Sequence, residues 1–167
     1  MPINKRWVVK PQGDRATVEA LSSQLGMSTV LTNLLVQRGI DTVEKAKKFF
    51  SPALCDLHDP FLMKDMDKAV ERIEKAVKAG EKVMIYGDYD VDGTTAVALV
   101  YKFLSQIGHK NLSFYIPDRY VDGYGISIRS IEHALRKGVT LVIALDCGIK
   151  AVEKVAYAKE RGVDFII

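Results

Sequence analysis

Asp88, Asp90 and Asp92 stand at alternate positions in Gly87-Asp88-Tyr89-Asp90-Val91-Asp92-Gly93-Thr94-Thr95, directly after the run Lys82-Val83-Met84-Ile85-Tyr86. Three carboxylates within five residues repel one another, so a fold that gathers them at a strand end calls for a cation. Hard oxygen donors suit Mg²⁺ or Mn²⁺, and a carboxylate-rich site can hold two ions roughly 3.5 to 4 Å apart, a pair suited to in-line displacement at phosphorus. Asp146 is a fourth candidate, because Leu145-Asp146-Cys147-Gly148 also follows an apolar run. Phosphoester hydrolysis is the natural use of such a set. An EF-hand fits poorly: the spacing from Asp88 matches the start of that loop, but its twelfth position is Leu99, where a bidentate Glu is needed.

Bland roles compete with this reading. A strand-end Asp often caps a helix or forms a turn, and for Asp146, two residues before Gly148, that alternative stays open. One cap uses one carboxylate, which leaves two of the triplet unexplained. Thr94 and Thr95 are read as caps of the following helix. His58, His109 and His133 share no strand end with the aspartates and are left out of the site, and Trp7 and Tyr101 are read as packing residues rather than stacking platforms.

The elements that must carry these residues follow from periodicity and punctuation. Short helices are expected over 18–25, 28–38 (Ser28 as N-cap) and 42–50 (Asp41 with Glu44 as a capping box). Ser51-Pro52 and Asp59-Pro60 then break the chain, giving an N-terminal helical region over 1–60 and a second region over 61–167. From Asp67 onward helices (67–79, 94–106, 128–137, 151–161) alternate with strands (82–86, 112–116, 140–145, 164–167). That alternation predicts an α/β fold, an open parallel sheet with helices on both faces and right-handed crossovers. Ligands bind outside the carboxyl ends of such strands, where strand order reverses. If strand 82–86 is central and the next two lie on opposite sides of it, Asp146 reaches the same edge as the triplet.

At 167 residues and 48% hydrophobic, the chain can bury one good core. Its net charge is +3, with 13 basic and 10 acidic residues up to Gly80 and 11 of each after it. That surplus is too mild to imply nucleic acid by itself. Two separated cysteines, Cys55 and Cys147, with no CxxC partner, argue against a disulfide framework or a thiolate zinc site. The opening Met1-Pro2-Ile3-Asn4-Lys5-Arg6-Trp7 lacks a signal-peptide core, and no apolar run approaches the ~20 residues of a membrane span. A cytoplasmic protein with no membrane partner is expected.

The loop over 119–127 follows a strand at the same edge. Gly123 and Gly125 allow close backbone approach, and Arg119 offers a bidentate donor for phosphate; the alternative is an ion pair with Asp118 or Asp122 on a solvated loop.

The string Ile85 to Thr95 resembles the first motif of the DHH phosphoesterase family, in its branch of exonucleases specific for single-stranded DNA. Tyr115-Ile116-Pro117-Asp118-Arg119-Tyr120-Val121-Asp122-Gly123-Tyr124-Gly125 resembles the loop after that branch's second strand. Leu145-Asp146-Cys147-Gly148-Ile149 resembles its second metal motif, with Ala144-Leu145 where a Thr-Val pair is usual. Arg38-Gly39-Ile40 and Leu57-His58-Asp59-Pro60 also fit. The resemblance implies Asp90, Asp92 and Asp146 as catalytic metal ligands, with Asp88 a ligand or an orienting carboxylate. It implies Mn²⁺ or Mg²⁺, two ions in the complete enzyme, and Arg119, Gly123, Tyr124 and Gly125 toward substrate. The activity implied is 5′-to-3′ digestion of single-stranded DNA in recombination and repair, with a helicase or single-strand-binding protein as companion. In that family the Asp-His-His motif follows the strand on which this sequence ends, so residues 61–167 are expected to hold the first part of a catalytic domain, half a site, inactive alone. Two other classes compete. Asp90-Val91-Asp92-Gly93-Thr94 satisfies the Asp-x-Asp-Gly-Thr pattern of haloacid-dehalogenase-like phosphatases, with Asp90 as nucleophile, and a non-catalytic nucleic-acid-binding module would use the same fold.

Overall fold

The computed structural model describes residues 6–167. Residues 1–5, part of the stretch read as lacking a signal-peptide core, lie outside the described residues. The chain divides into two compact units between Asp59 and Pro60.

The first unit holds α1 (Arg15–Leu25), α2 (Thr29–Val36) and α3 (Val43–Phe50). Each begins at a side-chain cap: Asp14 accepts from the Thr17 N–H, Ser28 from Leu31 and Thr42 from Lys45. The cap of α3 is therefore Thr42, and Asp41 instead pairs with the Lys45 ammonium at 2.6 Å. Val18, Leu21, Thr32, Leu35 and Ala46 are buried in this unit. Trp7, expected to pack, is 98% exposed. Short 3₁₀ turns at Leu54–Asp56 and Pro60–Leu62 flank the boundary.

The second unit runs α4 (Met66–Ala79), β1 (Val83–Gly87), α5 (Val91–Gln106), β2 (Leu112–Tyr115), α6 (Ile128–Arg136), β3 (Leu141–Leu145), α7 (Val152–Lys159) and β4 (Asp164–Ile166). All strand pairings are parallel and the order is β2-β1-β3-β4. β1 is thus flanked on both sides and its five residues are all buried, as a run apolar on both faces requires. Met84 and Tyr86 pack with Ile131, Ala134 and Ala158 of α6 and α7. Val83 and Ile85 pack on the opposite face with Ala76 of α4 and Val97 and Leu104 of α5. Each buried Val, Leu, Ile or Met side chain among these contributes roughly 1.5 to 3 kcal/mol by leaving water, and the alternation fixes the register: a one-residue slip would exchange the two faces. Among the described residues no helix is long and apolar enough to cross a membrane.

At the amino ends of the strands, Arg72 of α4 bridges two carboxylates, Glu81 at 2.8 Å and Asp164 at 2.7 Å, and Glu81 also accepts from the Thr140 hydroxyl at 2.6 Å. These contacts tie the starts of β1, β3 and β4 to one helix. Hydrogen bonds from Arg72 and then Thr140 hold the Glu81 carboxyl below its ordinary value. A depressed carboxylate stabilises the fold above its unfolded pKa and loses that contribution as pH falls through the folded value. Glu81→Gln is accordingly expected to cost about 1.5 kcal/mol at pH 7. Urea midpoints should show the gap from the parent closing on acidification below the ordinary carboxylate range.

Candidate metal centre

The register between β1 and β3 ends at Gly87 opposite Leu145, so Asp88 and Asp146 leave adjacent parallel strands side by side, with strand spacing of about 4.8 Å. β2 and β3 lie on opposite sides of β1, which makes this edge the crevice of an open α/β sheet. The three triplet carboxylates do different things there. Asp88 is buried, with 1% of its surface exposed. Its Oδ1 accepts from the Tyr89 N–H at 2.8 Å, and its Oδ2, also buried, has no hydrogen-bond partner among the described residues. Asp90 is the N-cap of α5 and its Oδ1 accepts from the Gly93 N–H at 3.0 Å. Asp92 is exposed in the first turn of α5, where a carboxylate suits the helix dipole.

The cap reverses one expectation. Helix α5 starts at Val91 rather than at 94, and Thr94 does not cap it: its hydroxyl donates back to the Asp90 carbonyl at 2.7 Å. The helix can begin this early because Gly93 has no side chain. A Cβ there would stand 2.5 Å from both N and O of Asp88, and one on Gly87 would stand 2.4 Å from Val97 Cγ2 and 2.7 Å from the Gly93 carbonyl oxygen. Strand end and helix start are therefore in backbone contact.

Asp146 is held in the left-handed region, φ 56, a conformation that Asp and Asn adopt more readily than most residues. Partial desolvation, then the charges of Asp90, Asp92 and Asp88, push its carboxyl above the ordinary value. Tyr124 senses the same field: the charge of Asp88, first, and those of Asp146 and Asp90 push its phenol up. Burial, then Asp88 and Asp146, push the Cys147 thiol up to about 11. The four carboxylates thus share one negative edge. They do not converge as a preformed ligand set: among the described residues no three His, Cys, Asp or Glu side chains are grouped to hold an ion. The reasons are visible in their partners, since Asp90 is turned to its helix, Asp88 to the Tyr89 amide, and the charges repel.

The loop after β2 is shaped by its own polar contacts. Asp118 Oδ1 accepts from the N–H groups of Tyr120 and Val121 at 2.8 and 3.0 Å. Asp122 accepts from the Asp118 N–H at 2.9 Å, the Tyr115 hydroxyl at 3.0 Å and the Ser127 hydroxyl at 3.3 Å. Both acids serve the loop, and neither forms the ion pair with Arg119 that the sequence leaves open. Arg119 lies instead over the Tyr89 ring, 5.3 Å from its centroid. Gly123 and Gly125 take φ 75 and 74, and the Gly125 carbonyl accepts from the buried Tyr86 hydroxyl at 2.8 Å, which pins the loop to β1. Tyr124 then projects outward, 71% exposed. It borders a recess of about 420 Å³ shared with Asp146, Cys147, Gly148 and Lys150. His133 packs on Tyr115 and His109 is buried; neither is at the carboxylate edge.

Residues 82–167 match the family model "DHH family, N-terminal domain". The chain belongs to the DHH family. Among curated proteins it is 40% identical over 162 residues to the single-stranded-DNA-specific exonuclease RecJ of Bacillus subtilis (strain 168), covering 97% of this chain and 20% of that protein. The RecJ of Haemophilus influenzae is 34% identical over 65% of this chain and 19% of its own length. The chain therefore spans about a fifth of the length of these relatives. A crystal structure of exonuclease RecJ bound to manganese matches with TM-score 0.56 and 29% identity over 62% of this chain and 26% of that one. RecJ in complex with Mn²⁺ from Thermus thermophilus matches with TM-score 0.64 over 90% of this chain and 20% of that one, at 23% identity, and supports the fold alone.

DHH membership displaces the haloacid-dehalogenase alternative, and the geometry gives a reason: Asp90 does not directly follow β1, which ends at Gly87, but opens α5. The residues present fit a divalent cation in donor chemistry, because the buried Oδ2 of Asp88 has no hydrogen-bond partner among the described residues, and a buried carboxylate oxygen calls for a donor or a cation. Sequence reasoning missed Tyr89. Its only signal was position, an aromatic ring between two ligand candidates.

Proposed function

We propose that this chain carries the first part of a DHH catalytic domain, residues 61–167, behind an N-terminal helical region, 1–60, and that the complete enzyme hydrolyses single-stranded DNA from the 5′ end. The observation that carries the reading is the shared edge of Asp88, Asp90, Asp92 and Asp146, with one buried carboxylate oxygen that has no partner among the described residues. The RecJ names and manganese-bound neighbours support it.

In this reading Asp90, Asp92 and Asp146 hold Mn²⁺ or Mg²⁺, two ions in the complete enzyme, and Asp88 ligates or orients from its buried strand end. The bound ions supply Lewis acidity, an activated water and charge neutralisation at phosphorus. The chain's own residues do the rest. Arg119 offers guanidinium donors to a phosphate of the strand, Gly123 and Gly125 give the loop its left-handed turns, and Tyr124 stands beside the carboxylates facing the substrate. Asp88 and Asp146, anchored on β1 and β3, keep the ligand edge fixed while DNA moves. A place in recombination and repair, a cytoplasmic setting, and work beside a helicase or single-strand-binding protein complete the proposal. The chain alone, with half a site, is inactive.

The test is digestion of single-stranded and duplex oligonucleotides, labelled at either end, by the chain carried in the full length of its relatives. Release of mononucleotides from the 5′ end of single strands, dependent on Mn²⁺ or Mg²⁺ and abolished by chelation, is expected. Release from the 3′ end, or turnover indifferent to chelation, overturns the assignment.

A further inference from the structure

We propose that Tyr89 is a positioning residue that holds the Arg119 guanidinium at the carboxylate edge, ready for a phosphate of single-stranded nucleic acid. This rests on the reading of Arg119 as a substrate contact. Tyr89 lies between Asp88 and Asp90, and its N–H donates to Asp88 Oδ1 at 2.8 Å, so its backbone is fixed relative to the ligand candidates. Its ring is half-buried. The Arg119 Cζ sits 5.3 Å from the ring centroid, within the range of a cation–π contact. The ring of Tyr124 meets Tyr89 edge-on, with centroids 6.3 Å apart and planes at 80°, and so steadies Tyr89 on a second side.

The contact solves a problem particular to this edge. An arginine on an exposed loop beside four carboxylates, with Asp118 and Asp122 close in sequence, would ordinarily be captured by one of these acids, and its donors would be consumed. Here Asp118 and Asp122 are engaged with loop amides and hydroxyls, and among the described residues Arg119 forms no ion pair. A cation held against a ring face uses its charge and not its N–H groups, so the planar fork keeps its donors for a bidentate phosphate contact. Because Tyr89 is covalently between two ligand candidates, the guanidinium is placed by the same strand end that places the metal-binding carboxylates.

The experiment uses the 167-residue chain and a 5′-phosphorylated oligothymidylate with a 3′ fluorophore, read by anisotropy at low salt, together with the Arg119 side-chain Nε–Hε resonance. The parent resonance is expected upfield from ring current. Tyr89→Leu is expected to abolish that displacement and weaken binding about three- to fivefold, the worth of an exposed cation–π contact. Tyr89→Phe, which keeps the ring, is expected to recover most of the affinity lost in Tyr89→Leu. Adding Tyr89→Leu to Arg119→Gln should cost nothing further, since both changes remove the same contact. Additive losses, or an Arg119 resonance unmoved in Tyr89→Leu, overturn the proposal. If Arg119→Gln binds like the parent, the substrate reading of Arg119 fails and the proposal fails with it, whatever the resonance shows. Should Tyr89→Leu not fold, Arg119→Lys keeps the charge and loses the planar fork: a comparable weakening is expected, and unchanged affinity overturns the proposal.

Discussion

Asp146→Asn, carried in the full length of the DHH relatives, is expected to lower metal-dependent hydrolysis on the order of a thousandfold, the several kcal/mol that a bound ion contributes to charge stabilisation at phosphorus. Asn is the informative replacement. Asp146 occupies the left-handed region at φ 56, which Asn tolerates and Ala does not, so the fold should survive and the loss reports the charge. The same logic selects Asp90→Asn over Asp90→Ala: the amide oxygen can still accept from the Gly93 N–H, whereas Ala removes a cap worth about 1 kcal/mol. In the metal-free chain the sign reverses. The Asp146 carboxyl is pushed up by desolvation and by Asp90, Asp92 and Asp88, so its ionised form opposes folding, and this opposition is relieved as pH falls through the raised value. Asp146→Asn should therefore unfold no more easily than the parent without metal while failing to turn over DNA. A variant that retains parental turnover and metal dependence would remove Asp146 from the ligand set.

The largest stability effect is expected at Gly93. A Cβ there would lie 2.5 Å from Asp88 N and O and 2.8 Å from its carbonyl carbon, all backbone atoms. No rotamer can relieve such a contact, so either α5 must move away from β1 or the strand end must give. Gly93→Ala is expected to destabilise by about 3 kcal/mol, the upper end of overpacking costs, although Ala is the better helix former at an exposed site. Denaturant unfolding would register this directly. In the full-length setting, metal affinity should fall as well, because the shift that makes room for the methyl displaces Asp88 and Asp90 together. A Gly93→Ala chain of parental stability would mean that the backbone contact is slack. Gly87→Ala meets the same seam from the strand side, against Val97 Cγ2 at 2.4 Å and the Gly93 carbonyl oxygen at 2.7 Å, and a buried helical Val has little χ1 freedom to yield.

Much of this was legible in the sequence. Alternating apolar runs gave the parallel sheet, and the placement of Asp88 and Asp146 after two of them gave the shared edge once β1 proved central. The start of α5 is not legible: a cap within the aspartate triplet is, but the threonines are the stronger local cap signal, and the close approach of Gly93 to Asp88 that lets the helix begin at Val91 is a tertiary fact. For Arg119 the local sequence offers a phosphate or the neighbouring Asp118 and Asp122 as partners. Its actual neighbour is thirty positions earlier, on another loop, and pairing across a sheet edge leaves no trace in local pattern. Trp7 shows the opposite limit: a large apolar residue invites a packing role, but 98% of its surface is exposed.

The pairing of strands carries one more consequence. β1 and β3 share five register positions, β1 and β2 four, and β3 and β4 three. Partial opening of such a sheet peels from its outer strands, which have fewer partners and one unpaired side. The seam between β1 and β3 is the last to part, and its amides should exchange with solvent most slowly. Asp88 and Asp146 ride on the ends of that seam, so the edge strands can breathe while the spacing between the two carboxylates persists.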